Sequence, residues 1–408
     1  MRPLLQRTAL SCAAATVLVA MAGQARAEVD PNSGIDFVRV GAVGNAAWQG
    51  DGTVGDRAVG RGSVGYEYSI GKFEVTTAQW AEFFNAAFDR PAGDALPHVV
   101  PPTFWGATGT TPTNNTNPSA RRWAVPAGNE MVPVGNISWR MAAMYCNWLH
   151  NDKATNREAF LNGAYDASTF GYSGTTFTDQ LAHSPGARYW VPTWDEWLKA
   201  AHYDPNKANP DGSTGGWWKY STSSDTAPAY GPAGVRVRTG GVGVVPAPDP
   251  NGPLAQANAG WDGINFVGSS PFAIPLGAYA NVTSPWGLYD TAGGTKEWTE
   301  EPVLVSNVWP IGRFFDGSAW ATPQAPLSDQ IYNHGGDFPS LSTFDLGFRI
   351  ASSVPSPGLS ALALVCLAQW SRRRRPRAGC HRSAALSRLV SSGVEHAPAE
   401  PFEQRGTL

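Results

Sequence analysis

Two carboxylates, Asp290 and Glu297, stand close together in the segment S-P-W-G-L-Y-D-T-A-G-G-T-K-E-W-T (Ser284–Thr299), with Gly293 and Gly294 between them. Consecutive glycines let the chain turn back, so that backbone carbonyls can join the two side chains around a hard cation, which prefers oxygen ligands. A simpler account fits the same residues: Asp290 caps a turn and Glu297 is a solvated charge. Other chemistries lack their residues. There is no G-x-S-x-G, no Walker-type glycine loop and no zinc-ligand spacing. The histidines, His98, His150, His183, His202, His334, His381 and His396, include no pair at helical ligand spacing.

Cysteine chemistry is equally limited. Cys12, Cys366 and Cys380 fall near the ends, so Cys146 is alone in the body and no intradomain disulfide is expected. It shares a helical pattern with Ala142, Tyr145 and Leu149 and reads as a small buried apolar group rather than a nucleophile.

These residues must be positioned by few regular elements. Trp80, Phe83, Phe84, Ala87 and Phe88 make one apolar stripe, which predicts a helix over 77–88, with Thr76 and Gln79 at capping-box spacing. A second helix is expected after Ser138, a natural N-cap. A third is expected from Thr193, capped through Glu196 and ending near Asp204-Pro205. Alternation predicts strands at Tyr66–Val75 and Phe344–Ser352. Residues 204–257 are rich in Gly, Pro, Ser and Thr and read as a long loop or insertion, and Arg90–Asn129 is a second irregular stretch. With 17 Trp, 45 Gly and 33 Pro in 408 residues, the expected class is α+β of low regular content, its loops anchored by indoles. Trp190, Trp194, Trp217 and Trp218 are candidates either for a stacking surface or for core packing.

The composition also excludes partners and suggests an address. A formal charge of −3 argues against nucleic acid. Residues 1–27 carry Arg2 and Arg7, an apolar run from Thr8 to Ala22 and Ala25-Arg26-Ala27, the pattern of a cleaved signal peptide, so the mature chain is expected to begin near Glu28 as an exported protein. At the other end, Val354-Pro355-Ser356-Pro357, the apolar stretch Gly358–Trp370 and Arg372–Arg375 resemble a PEP-CTERM sorting signal over 353–375, which implies transient membrane association. Ser356 stands where an acidic residue is usual, and the polar tail at 376–408 reads as disordered.

Five blocks occur in one order: G-K-F-E-V-T-T-A-Q-W (Gly71–Trp80), P-V-G-N-I-S-W-R-M-A-A-M-Y-C-N-W-L (Pro133–Leu149), W-V-P-T-W-D-E-W-L-K-A-A (Trp190–Ala201), W-G-L-Y-D-T-A-G-G-T-K-E-W (Trp286–Trp298), and G-G-D-F with L-G-F-R-I-A (Gly335–Phe338, Leu346–Ala351). Together they resemble the formylglycine-generating enzyme family, the sulfatase-modifying factor domain. The resemblance covers 66–352, with 28–65 as a lead-in, and implies a C-type-lectin-like core. It also implies a structural calcium held by Asp290, the carbonyls of Gly293 and Thr295, and Glu297. A weaker second calcium site would use Asn258 and the Ala259 carbonyl, but the Asp expected downstream has no clear match.

The resemblance further implies copper chemistry on a partner's cysteine, carried by two thiolates shortly after the last Gly-Gly pair. Here Gly335 and Gly336 are followed by Asp337, Phe338, Pro339, Ser340 and Leu341, so both thiolates are missing; Ser340 stands about where the first would be, and a hydroxyl does not replace a soft Cu(I) ligand. Copper is therefore not expected, and an iron site of the kind used by related sulfoxide synthases is not expected either. Two functions remain open: a non-catalytic binding or structural module at the cell surface, recognising an exported protein or glycan, or a modifying oxidoreductase of the formylglycine-generating type acting on an exported protein. His334, beside the degenerate Gly335–Ser340 region, reads either as an acid or base or as a loop residue bonded to backbone.

Overall fold

The computed structural model describes residues 28–110, 123–238, 243–305, 309–323 and 325–354. The signal-type leader and the sorting-type segment beyond Val354 lie outside the described residues. Among those described, no helix is long and apolar enough to cross a membrane.

The chain opens with β1 (Glu28–Val29), β2 (Asp36–Val40) and β3 (Tyr68–Gly71), then enters helix α1 (Thr77–Phe88). A paired β4 (Thr108–Gly109) and β5 (Trp123–Ala124) precede α2 (Trp139–His150) and the single turn α3 (Glu158–Leu161). The tight hairpin β6 (Tyr172–Ser173) and β7 (Thr176–Phe177) follows, then β8 (Tyr189–Trp190) and α4 (Trp194–His202). Helix α4 runs directly into β9 (Tyr203–Ala208), which pairs with β10 (Thr214–Trp217). Long loops lead to β11 (Lys296–Val305), β12 (Trp309–Asp316), the turn α5 (Ala325–Ser328), β13 (Gly335–Asp337), β14 (Leu346–Gly347) and β15 (Ala351–Ser353).

Two sheets organise these pieces. The first, in the order β1-β2-β3-β15-β8, is antiparallel throughout and places the last described strand between β3 and β8, so the two ends of the domain close on each other. The second, β13-β12-β11-β14, is antiparallel except for the parallel pairing of β11 with β14.

The helices begin where their caps require. Thr76 and Gln79 form a reciprocal capping box, as do Thr193 and Glu196, and the Ser138 side chain accepts from Met141 N–H. Helix α1 packs its aromatic stripe on α2: Trp80 lies against Phe83, Tyr145 and Phe348 with centroids 4.8, 5.6 and 5.8 Å apart. Cys146 is fully buried in this core, where desolvation pushes its thiol well above the ordinary range.

Expected and observed strands differ where tertiary contacts override alternation. The Tyr66–Val75 run is a strand only at 68–71, because Val75 N–H already turns to the Phe348 carbonyl. The Phe344–Ser352 run splits into β14 and β15, which belong to different sheets, with Phe348, Arg349 and Ile350 crossing between them. Helix α4 stops at His202, slightly before the expected Asp204-Pro205 boundary. The 204–257 stretch is not all loop: it begins in the β9–β10 hairpin. Farther along, Ala229, Val237 and Ala255 join Trp261, Phe266 and Tyr279 in a separate small core.

His202 closes α4 with Nδ1 donating to the Trp218 carbonyl at 3.1 Å, and burial pulls its pKa down from 6.5 to about 4. Between those values the unfolded chain binds a proton that the folded chain does not. The stability this residue contributes is therefore complete above about pH 6.5 and is lost as the pH falls toward 4, by at most about 1.4 kcal/mol per pH unit. Urea melts of His202→Gln should accordingly show a smaller fall in midpoint between pH 7 and pH 5 than the parent protein; an equal fall would show that His202 is not held neutral.

Candidate functional site

The signature loop is built around a guanidinium. Arg349, fully buried in the crossing between β14 and β15, donates from Nε to Glu297 Oε2 at 2.5 Å and from Nη2 to Oε1 at 2.6 Å. Its remaining N–H groups reach the Gly71 carbonyl at 2.9 Å and the Tyr289 carbonyl at 3.1 Å. Trp197 Nε1, from α4, supplies a third donor to Glu297 at 2.9 Å. Glu297 is thus a buried, paired carboxylate, and the alternative of a solvated charge does not hold.

The loop residues converge on this pair. Asp290, in the left-handed region at φ 55°, accepts from Gly277 N–H at 2.6 Å, and burial pushes its pKa up to about 6. Gly293, at φ 87°, lies so close to Asn258 that a Cβ would come within 2.6 Å of its backbone. Gly294, at φ 74°, leaves space for Glu74, whose Oε1 would be 2.3 Å from an added Cβ, a physical reason for glycine here. Glu74 in turn accepts from Thr295 N–H at 3.0 Å and from the Thr295 hydroxyl. Desolvation, and then the neighbouring Glu297, hold the Glu74 carboxyl well above its usual range.

Asn258 is committed to the scaffold. Its carbonyl accepts from Gly294 N–H at 3.2 Å, its Nδ2 donates to the Pro271 carbonyl at 2.8 Å, and its Oδ1 accepts from Trp261 Nε1 at 2.9 Å. Among the described residues no three His, Cys, Asp or Glu side chains form a metal-holding group. The signature loop instead offers two carboxylates and backbone oxygens, the hard donor set calcium takes. With the Glu74 carboxyl pushed toward its neutral form, Asp290 and Glu297 still outnumber the single guanidinium of Arg349, so negative charge remains for a cation to neutralise. Glu297 would have to be shared with Arg349.

The second candidate region follows β13. Asp337 Oδ1 accepts from Phe338 N–H at 2.8 Å, and the Pro339 carbonyl accepts from Arg140 N–H at 3.2 Å. Ser340 Oγ lies 2.7 Å from the Tyr172 hydroxyl, and Tyr172 rests on the Arg140 guanidinium, 4.8 Å from its ring centroid. Beside this segment a cavity of about 270 Å³ opens between β6–β7 and β11–β13, lined chiefly by Thr175, Val303, Ile311, Gly336, Asp337 and Phe338. The chain that follows the β6–β7 hairpin is fixed three ways. Asp179 pairs with Arg140 at 2.7 and 2.9 Å, Arg313 donates to the Gln180 and Leu181 carbonyls, and His183 meets Glu300 at 3.0 Å.

The donor set here does not fit copper. The described cysteine, Cys146, is locked in the α1–α2 core, and the only side-chain heteroatoms on the Asp337–Leu341 segment are the Asp337 carboxylate and the Ser340 hydroxyl. His334 packs between Trp194 and Phe314, at 4.7 and 4.8 Å, and burial lowers its pKa to about 4, so it is an enclosed neutral ring rather than an acid or base poised near neutrality.

The four candidate tryptophans form no common platform. Trp190 donates to Glu196 and Trp194 to Asp316, both buried, while Trp217 donates to the Ala46 carbonyl and Trp218 to Asp204. Glu74, Trp197 and Arg349 were not singled out in the sequence, although all three lie inside the five blocks. The readable signal was a charge inside an otherwise apolar run: Glu74 in F-E-V and Arg349 in F-R-I.

Taken with this geometry, the known proteins identify the class. Residues 36–354 match the family model for the sulfatase-modifying factor enzyme 1-like domain, and the chain belongs to that family, with its α+β, C-type-lectin-like fold. The match begins at β2, so part of the lead-in is a strand of the domain. Solved structures similar to it include Treponema denticola variable protein 1 (15% identity, TM-score 0.42, covering 80% of this chain and 99% of that one) and CarF (19%, 0.43, 78% and 98%). PvdO from Pseudomonas aeruginosa is another (14%, 0.42, 81% and 99%). No functionally curated protein matches the sequence.

Removing one partner of a buried ion pair leaves an uncompensated charge. Arg349→Met should therefore cost about 3–5 kcal/mol in urea unfolding, and adding Glu297→Leu should recover part of that loss. A cost for Arg349→Met below about 1 kcal/mol, the range of exposed pairs, would show that the pair is not the buried anchor described.

Proposed function

We propose that the protein is an exported sulfatase-modifying-factor domain that works at the cell surface without copper, as a binding module for another exported molecule. The observation that carries this reading is the segment after Gly335-Gly336. Its serine hydroxyl is engaged by Tyr172, and the body's cysteine is sequestered in the core. What remains in that region is a cavity with a largely apolar lining, which supports recognition rather than thiol oxidation. Export is supported by the leader-like residues 1–27 and the sorting-type pattern at 353–375.

Incubation with Cu(I) and a peptide containing Cys-Thr-Pro-Ser-Arg should leave the peptide mass unchanged, with no stoichiometric copper bound. Formylglycine in the mass spectrum together with one bound copper would overturn the non-catalytic reading and favour the oxidoreductase.

Calcium has a structural place in the same proposal. Asp290, the carbonyls of Gly293 and Thr295, and Glu297 would hold it, and the ion would supply charge neutralisation to a loop whose carboxylates exceed its guanidinium. Binding to the folded state alone raises stability. Millimolar calcium should accordingly raise the melting temperature of chelator-treated protein, and Asp290→Ala should abolish the increase. A melting temperature indifferent to both chelator and calcium removes calcium from the account.

A further inference from the structure

We propose that the cavity beside β13 receives a lysine side chain from a polypeptide partner, an assignment that deepens the binding reading above and rests on it. Val303, Ile311 and Phe338 give the cavity apolar walls, and Asp337 is the one charged residue on its lining among the described residues. A matching ligand must cover apolar surface along its length and end in a positive charge, which is the construction of a long basic side chain. Among the described residues no lysine or arginine lines the cavity to compete for Asp337. Arg313, on the neighbouring strand β12, is instead fully buried, 3.8 Å over the Trp139 ring.

The carboxylate distinguishes between the two basic side chains. Asp337 Oδ1 already accepts from Phe338 N–H, and among the described residues no donor reaches Oδ2. A guanidinium gains most from a carboxylate that offers both oxygens in a fork, whereas an ammonium is a point charge that one oxygen can satisfy. One oxygen left without a described donor, on a lining that is otherwise largely apolar, therefore favours lysine over arginine.

The position of the cavity favours a polypeptide over a free amine. β13 is the outermost strand of its sheet, and Gly336, at its centre, is exposed. An extended segment lying along such an edge directs alternate side chains to one face, so one residue in two can be aimed at the cavity.

The test is isothermal titration of the purified protein with a capped serine-valine heptapeptide carrying one central lysine, beside versions with norleucine or arginine at that position. Asp337→Asn keeps the oxygen that caps Phe338 N–H, and an unchanged melting temperature checks that it folds. The lysine peptide should bind most tightly, and either norleucine or Asp337→Asn should weaken binding by about tenfold, the equivalent of about 1.4 kcal/mol. Equal binding of the norleucine peptide, an unchanged affinity in Asp337→Asn, or no measurable binding of any peptide overturns the proposal. Tighter binding of the arginine peptide overturns the ammonium assignment, and 1,6-diaminohexane binding as tightly as the peptide overturns the polypeptide assignment. Failure here leaves the copper assay unaffected, and formylglycine formation in that assay would leave the binding ratios standing, so the two readings fail separately.

Discussion

The buried pair of Arg349 and Glu297 is the constraint on which the domain depends. One guanidinium joins the signature strand β11, the end of β3 at Gly71, the loop carbonyl of Tyr289 and the crossing that leads to β15, while the indole of Trp197 brings in α4. These segments are far apart in sequence and have little regular structure of their own. A hydrophobic pair of the same volume could stabilise them as well or better, because two desolvated charges recover little net energy. An ion pair differs in being exacting: a planar fork satisfied by two carboxylate oxygens and two carbonyls tolerates only one relative placement of four chain segments. In a fold with many strands of only two or three residues, that placement is a large part of what defines the native state.

The tryptophans extend the same logic. On α4, Trp194 and Trp197 lie one turn apart and donate to Asp316 and Glu297, which are direct cross-strand neighbours on β11 and β12. Two carboxylates placed opposite each other would repel if both were ionised. Burial and the neighbouring Glu297 accordingly push the Asp316 carboxyl well above its usual range, while Glu297 keeps the guanidinium. Each indole thus contributes a large apolar face to packing and one N–H that fixes a polar group otherwise costly to bury. This explains how a chain with few helices can hold long loops, with Trp194 and Trp197 as anchors rather than a surface.

The parts of this arrangement legible in the sequence are those decided locally. The three main helices announce themselves through capping boxes at Thr76 and Thr193, a serine cap at Ser138 and an apolar stripe, because the interactions that start a helix lie within one turn. The strands do not. Tyr68–Gly71 and Ala351–Ser353 owe their extended form to each other, across nearly the whole domain, and alternation alone could not reveal that Phe348 to Ile350 cross between sheets. At the signature loop the sequence exposed Asp290 and Glu297 by type and spacing, but their partners Glu74 and Arg349 are contributed by distant blocks, and proximity in the chain carries no trace of that contact. The β9–β10 hairpin was missed for a related reason: its glycines and prolines look like loop, and its pairing is held by backbone that any sequence could supply.

The placement of these anchors also explains how such a fold can vary the side chains of one segment and keep its shape. The Asp337–Phe344 segment is tied down mainly through backbone: the Pro339 carbonyl to Arg140 N–H, the Thr343 carbonyl to Asn136 N–H, and, just beyond it, the Leu346 carbonyl to Ile137 N–H. None of these contacts depends on the identity of the side chains at 337, 338, 340 or 341, and none involves Glu297 or Arg349. A thiolate at position 340 could become a serine bonded to Tyr172 without disturbing the buried pair that sets the fold. The energetic centre and the chemically variable surface are therefore separate. Resemblance of the whole chain is informative about the former and says little about the side chains at 337–341.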